Sequence, residues 1–198
     1  MEQIILKEEL DKLMSVKGEV LGVAVIEHKE FIVEEEGAEG LKKVEDLISK
    51  IGYPEYKNIK ARRFYPLGFY TLTLIAAKKL FSWNDKKFEE MGRFNAKLSL
   101  ILRILVRFLV SLDVAAKKTS AMWQRYYTVG NLRTEEVDAE KRYVILRLED
   151  FNLHPLHCEL QKGYFSTILQ VIVKNPITCE ETKCVHRGDE YHEFLMKW

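Results

Sequence analysis

The chain has 198 residues, 47% of them hydrophobic and 31% charged, and a formal net charge of +1. That length suits one large domain or two small ones, and the composition is that of a soluble globular protein. A balance this near zero gives no electrostatic case for a nucleic acid or an anionic membrane, and three cysteines form no disulfide framework.

The opening Met1-Glu2-Gln3 carries an acid and no long apolar region follows, so no secretory leader is expected. A reducing cytoplasm is the expected location, and there Cys/His clusters point to metal rather than to disulfides. Leu6, Leu10 and Leu13 predict a short helix over 2–14, ended by Gly18. Over 19–36 the spacing of Val20, Val23, Ile26, Phe31 and Ile32 suits a helix better than strict alternation. Gly37 and Gly40 punctuate, and Leu41, Val44, Leu47 and Ile48 predict an amphipathic helix ending near Gly52. Residues 53–64 read as a linker whose Lys57, Lys60, Arg62 and Arg63 form a solvated basic cluster.

Pro66 and Gly68 open a helix over 67–81 that carries Phe69, Tyr70, Leu72, Leu74 and Ile75. A long helix follows from Asp85 to about Leu112. Its apolar run at 98–112 is short of the roughly 20 residues that cross a bilayer. Arg103 and Arg107 would each cost about 2.5–3.5 kcal/mol at a bilayer centre, so a core helix is expected rather than a membrane span. Asp113 starts another helix through Trp123 and Tyr126, and Gly130-Asn131 breaks the pattern. Residues 132–139 are polar and take no assignment. Residues 142–148 predict a strand with Val144, Leu146 and Leu148 on one face. A helix over 155–173 and two strands, 177–186 and 190–198, complete the chain. Helices followed by a helix with antiparallel hairpins make an α+β pattern. The expected organisation is a single domain, with a helical part at about 1–128 and an α+β part at about 129–198.

No Gly-rich phosphate loop, Gly-x-Ser-x-Gly elbow or His-Glu-x-x-His is present. A nucleophilic Cys158 beside His157 is disfavoured, because residues this close in sequence rarely face each other, and no enzyme is expected. The chemistry concentrates after Cys158. If Arg187-Gly188-Asp189 turns a hairpin, Cys184 and His192 are cross-strand neighbours, with Cβ atoms about 4.5–5.5 Å apart. Cys158 would come from the start of the preceding helix. Glu181 and Cys184 are three apart, so a regular strand sends them to opposite faces. A bulge near Thr182 would bring them together; otherwise Cys179 or His186 would be the fourth ligand. Cys158, Glu181, Cys184 and His192 then suit a four-coordinate structural zinc site. The ordinary alternative is two buried cysteines and a solvated strand histidine.

The stretch His157-Cys158-Glu159-Leu160-Gln161-Lys162-Gly163-Tyr164-Phe165, then Glu181-Thr182-Lys183-Cys184-Val185-His186-Arg187-Gly188-Asp189, then His192-Glu193-Phe194, resembles the C-terminal half of the 4-vinyl reductase domain family. That family includes sensor domains of phenol-responsive activators, and the resemblance implies zinc on these four positions, with His192 standing where the family usually has Cys. The front half, through Gly37-x2-Gly40-Leu41, Tyr65-Pro66, Gly92-Arg93-Phe94 and Trp123-x2-Tyr126-Tyr127-x2-Gly130, looks like the haem-NO-binding-like superfamily, whose fold the TRAPP vesicle-tethering subunits share. The haem-binding branch implies a proximal histidine and a Tyr-x-Ser-x-Arg signature, and this sequence has neither.

These resemblances imply a zinc-stabilised, non-enzymatic sensor or binding domain for a small hydrophobic ligand, aromatic or fatty. Its cavity would be lined by Phe69, Tyr70, Trp123 and Tyr127, although core packing is the plainer reading of such aromatics. A homodimer on the N-terminal helices is expected, with a separate partner to carry any signal. The alternatives are an interaction module like the vesicle-tethering subunits and an accessory factor in tetrapyrrole metabolism.

Overall fold

The computed structural model describes residues 7–99 and 111–198. The expected helical residues 2–6 and the apolar stretch 100–110, with Arg103 and Arg107, lie outside the described residues. The chain divides into two compact units, Met1–Asp85 and Lys86–Trp198.

In the first unit, α1 (Lys7–Met14) leads to β1 (Glu19–Leu21), α2 (Gly22–Lys50), a 3₁₀ turn (Pro54–Asn58), β2 (Phe64–Pro66) and α3 (Leu67–Phe81). Gly18, at φ 104°, turns the chain between α1 and β1. Sequence spacing predicts a helix from residue 19, but 19–21 pair antiparallel with 64–66 and bury Val20 opposite Tyr65. That pairing spans more than forty residues of sequence and leaves no local signal. The helix starts only at Gly22, whose N–H donates to the Arg63 carbonyl at 2.7 Å. α2 is interrupted at Gly37 (φ 71°, ψ −179°), where the expected break falls.

Every residue from Leu67 to Ala77 in α3 is buried. A helix apolar all round is a core helix. Phe69 packs edge-on against Tyr53 and Tyr56, and the buried Tyr56 hydroxyl donates to Thr73 Oγ1 at 2.8 Å. Tyr70 stacks on His28, with centroids 4.3 Å apart.

His28 is fully buried, and burial lowers its pKa from 6.5 to about 3. Above pH 6.5 both folded and unfolded chains carry it neutral. As pH falls below 6.5 the unfolded state takes up a proton that the folded state refuses. Stability should therefore drop by about 1.4 kcal/mol per pH unit down to about pH 3. Urea unfolding at pH 7 and pH 5 checks this, and the difference should shrink by about 2 kcal/mol in His28→Phe. An unchanged difference refutes the assignment to His28.

The second unit contains α4 (Asp85–Leu98), α5 (Leu112–Trp123), β3 (Asn131–Asp138), β4 (Tyr143–Glu149), α6 (Leu156–Val173), β5 (Thr178–Lys183), a 3₁₀ turn (Val185–Arg187) and β6 (His192–Lys197). The four strands form one antiparallel sheet in the order β3-β4-β6-β5. Strand β3, unassigned from sequence, is an edge strand carrying Arg133, Glu135, Glu136 and Asp138; charged edges are how sheets avoid pairing with other chains. The inner face buries Val144, Leu146, Leu148, Phe194 and Met196, as the alternation in 142–148 predicts. Phe165 of α6 meets Phe194 edge-on at 5.2 Å. The architecture is α+β, as expected.

Two glycines let α4 and α6 touch backbone to backbone. A Cβ on Gly92 would lie 1.9 Å from the Leu160 carbonyl oxygen, and one on Gly163 would lie 1.9 Å from that of Glu89.

Candidate metal centre

Four side chains of the second unit converge. Cys158 sits in the first turn of α6, Glu181 on β5, Cys184 just after β5, and His192 at the start of β6. Their ligand atoms all lie within 4.8 Å of one another. Cys158, Cys184 and His192 are buried and Glu181 nearly so.

The hairpin register explains the convergence. Thr178 to Glu181 pair with Lys197 to Phe194, then the register shifts and Lys183 pairs with Glu193. The shift falls at Thr182, where a bulge is expected, and the Thr182 hydroxyl donates to the Glu193 carboxylate at 2.8 Å. Beyond it the chain turns tightly. Arg187 N–H donates to the Cys184 carbonyl at 2.9 Å, and Gly188 takes φ 97°. The Asp189 carboxylate accepts the Cys184 N–H at 2.7 Å. Arg187 donates to the Glu181 carbonyl at 2.7 Å and to Glu181 Oε2 at 3.3 Å, so the other carboxylate oxygen faces the cluster.

The thiol sulfurs of Cys158 and Cys184 are 3.7 Å apart, and Cys158 Sγ is 3.9 Å from His192 Nδ1. Two thiolates about 2.3 Å from one tetrahedral ion would be separated by about 3.8 Å. His192 Nε2 lies 3.1 Å from the Phe151 carbonyl oxygen. A carbonyl only accepts, so Nε2 carries a proton, and without a second one Nδ1 is a bare lone pair. That Nδ1 lies 2.8 Å from Glu181 Oε1. An ionised carboxylate also only accepts, so two acceptors meet, and the contact requires a shared cation, either a proton or a metal ion. Burial works against the Glu181 carboxylate, but a proton shared with His192, together with the thiols of Cys158 and Cys184, outweighs it and holds its pKa below the usual range. Burial, reinforced by the Glu181 carboxylate and Cys184, drives the Cys158 thiol strongly up. A bound cation inverts that balance and deprotonates a coordinating thiol.

The two alternative ligands stay outside the cluster. Cys179 lies elsewhere on β5 and burial raises its pKa to about 12. His186 is half-buried with its ring centroid 5.6 Å from that of His192.

Two of the expected ligand-lining aromatics belong to each unit. Phe69 and Tyr70 belong to the first unit, packed as described above. In the second unit Trp123 stacks on Tyr127 with centroids 4.2 Å apart, and its indole N–H donates to the Val129 carbonyl at 2.9 Å. Phe151 meets Trp123 edge-on at 4.9 Å and Tyr127 at 5.5 Å. Nothing in the residue pattern singles out Phe151, because it bears on His192 through its backbone. Arg187 and Asp189 stand in the motif only as turn residues.

No protein-family model matches the chain, and no curated protein matches it. Solved structures do. An H-NOX protein from S. oneidensis in the Fe(II)NO state is similar with a TM-score of 0.66 at 11% identity, covering 89% of this chain and 97% of that one. The unliganded Fe(II) H-NOX protein from K. algicida gives 0.61 at 12% identity, covering 89% and 95%. A structure concerned with heme redox potential and porphyrin distortion gives 0.63 at 13%, covering 89% and 99%. At such identity the likeness establishes the fold alone, and it is the haem-NO-binding-like fold that the front-half motifs imply.

These neighbours overturn the expectation of zinc as the cofactor: the metal named for them is iron, as Fe(II) or in heme. The spacing reads donor types, and the same N, O and S donors bind several first-row ions, so it could not read the ion. Haem does not fit the histidines present. None lies between His28 and His154 in the sequence. His28 is stacked on Tyr70, His154 Nδ1 accepts from the Leu156 N–H, and His157 packs edge-on against Phe151. His186 and His192 belong to the hairpin, and both His192 nitrogens are engaged. Among the described residues no helix is long and apolar enough to cross a membrane.

Proposed function

We propose that the chain is a non-enzymatic small-molecule sensor or binding domain whose second unit is tied together by one metal ion. The ligands are Cys158, Cys184, His192 and one oxygen of Glu181. The observation that carries the reading is the convergence of these four side chains, whose ligand atoms all lie within 4.8 Å of one another. The ion joins the start of α6 to both strands of the last hairpin, and its class is a first-row divalent ion that accepts thiolates. The 4-vinyl-reductase-like motif supports the sensor reading, because its spacing coincides with the four converging residues. The small ligand is hydrophobic, with Trp123 and Tyr127 as its aromatic contacts. The homodimer expected on the N-terminal helices stays part of this reading, and Val33 on α2 is an exposed large apolar side chain there.

Elemental analysis of protein never exposed to a chelator tests the reading. About one equivalent of a single d-block metal per chain is expected, and less than a tenth of that in Cys158→Ser/Cys184→Ser. Wild-type protein without metal refutes it. A thermal-shift screen of phenols and fatty acids, repeated on Trp123→Ala, tests the ligand; a bound compound at a hundred times its dissociation constant should stabilise by about 2.7 kcal/mol.

A further inference from the structure

Strand β4 ends at Glu149, and Asp150 takes a left-handed conformation at φ 54°. That reversal carries Phe151 inward, where it is 3% exposed. Its two halves do different things. The ring is gripped edge-on by Trp123 at 4.9 Å and Tyr127 at 5.5 Å, and it meets His157, the neighbour of Cys158, at 6.2 Å. The carbonyl accepts the Nε2–H of His192 at 3.1 Å. Gly130 closes the cage: a Cβ there would lie 3.1 Å from both the Phe151 ring and the Trp123 indole nitrogen.

A histidine that binds a metal through one nitrogen is aimed by whatever accepts the N–H on the other, and losing that partner weakens binding about 10- to 100-fold. Here the partner is a backbone carbonyl, which no side-chain substitution removes. Its direction depends on the residue's own ring staying in the aromatic cage.

Building on the metal reading above, we propose that Phe151 is the positioning residue of the centre: the Trp123–Tyr127 cage fixes its ring, the ring fixes its carbonyl, and the carbonyl holds His192 with Nδ1 directed at the ion. The aromatic cluster and the metal site are then one linked device. Whatever loosens the cage weakens the metal, and metal loading stiffens the cage.

Cobalt(II) is the probe, because its thiolate charge-transfer and ligand-field bands report both affinity and geometry. The metal-free 198-residue chain is titrated as wild type, Phe151→Leu, Phe151→Tyr and Trp123→Ala. Phe151→Leu and Trp123→Ala should bind about 10- to 100-fold more weakly with altered ligand-field bands. Phe151→Tyr, which keeps the ring, should restore wild-type affinity and spectrum. Wild-type affinity and spectrum in Phe151→Leu overturn the proposal. Failure of the wild type to bind cobalt overturns the metal reading itself. If Phe151→Leu does not fold, the wild type still decides: nitrogen-proton correlation spectra should show His192 protonated at Nε2 and ligating through Nδ1, and the opposite assignment refutes the positioning role.

Discussion

If the proposed metal is bound, stripping it from the wild-type protein, or replacing Cys184 by serine, should lower stability by about 4 kcal/mol at a free ion concentration a thousand times the dissociation constant. In a chain of this size that is about 8–16 °C in melting temperature. The reason lies in what the ligands join. Cys158 lies in the first turn of α6, Glu181 and Cys184 flank the Thr182 bulge, and His192 begins β6. An ion held by these side chains would cross-link three segments that the unfolded chain holds apart, and its binding energy would become folding energy. Cys184→Ser also leaves a hydroxyl where a buried thiol sat. Differential scanning calorimetry with and without chelator is the measurement. The chelator should lower the wild-type melting point and leave that of Cys184→Ser unmoved. Cys179→Ser should keep the full chelator response. A wild-type melting point indifferent to chelator refutes the cross-link.

Alanine at Gly163 should destabilise by about 3 kcal/mol, although alanine is the better helix former by about 1 kcal/mol. Its methyl would stand 1.9 Å from the Glu89 carbonyl oxygen and 3.0 Å from the Arg93 nitrogen, and backbone atoms cannot rotate away. The helices must separate, which also strains the bond from Arg93 to the Ser166 hydroxyl. Gly92→Ala meets the same contact from the other side, 1.9 Å from the Leu160 carbonyl oxygen. Once either methyl has pushed α4 and α6 apart, the second costs little, so the double variant should fall well short of the sum. Denaturant unfolding of the four proteins in the cycle measures this. Simple additivity would mean that the two glycines do not share one contact.

Much of this arrangement can be read from residue order where one face of an element is buried and the pattern is local. The helix over 67–81 and the strand face of Val144, Leu146 and Leu148 are of that kind. So is the bulge at Thr182, because the spacing of Glu181 and Cys184 cannot be reconciled without it. Gly163 stands in the motif as a pattern letter, and the backbone contact supplies its physical reason. Other features depend on distant pairing or carry no apolar signature. β1 is defined by Phe64–Pro66, and β3 wears the charges of an edge. Phe151 contributes a carbonyl, which every residue possesses, so no residue letter could announce it. The identity of an ion held there is beyond spacing, because several ions accept the same donors.

The Thr182 bulge has a consequence for counting. An antiparallel strand is a parity device: even separations keep two side chains on one face and odd separations divide them. Glu181 and Cys184 are an odd pair made to behave as an even one by a single inserted residue. Removing Thr182 would leave them two apart and still on the same face of an unbulged strand. A sequence with Glu-x-Cys and no bulge can thus present the same donors as Glu-x-x-Cys with one. A search that fixes the spacing would treat these as unrelated motifs, whereas one that counts parity together with bulges would recognise a single site.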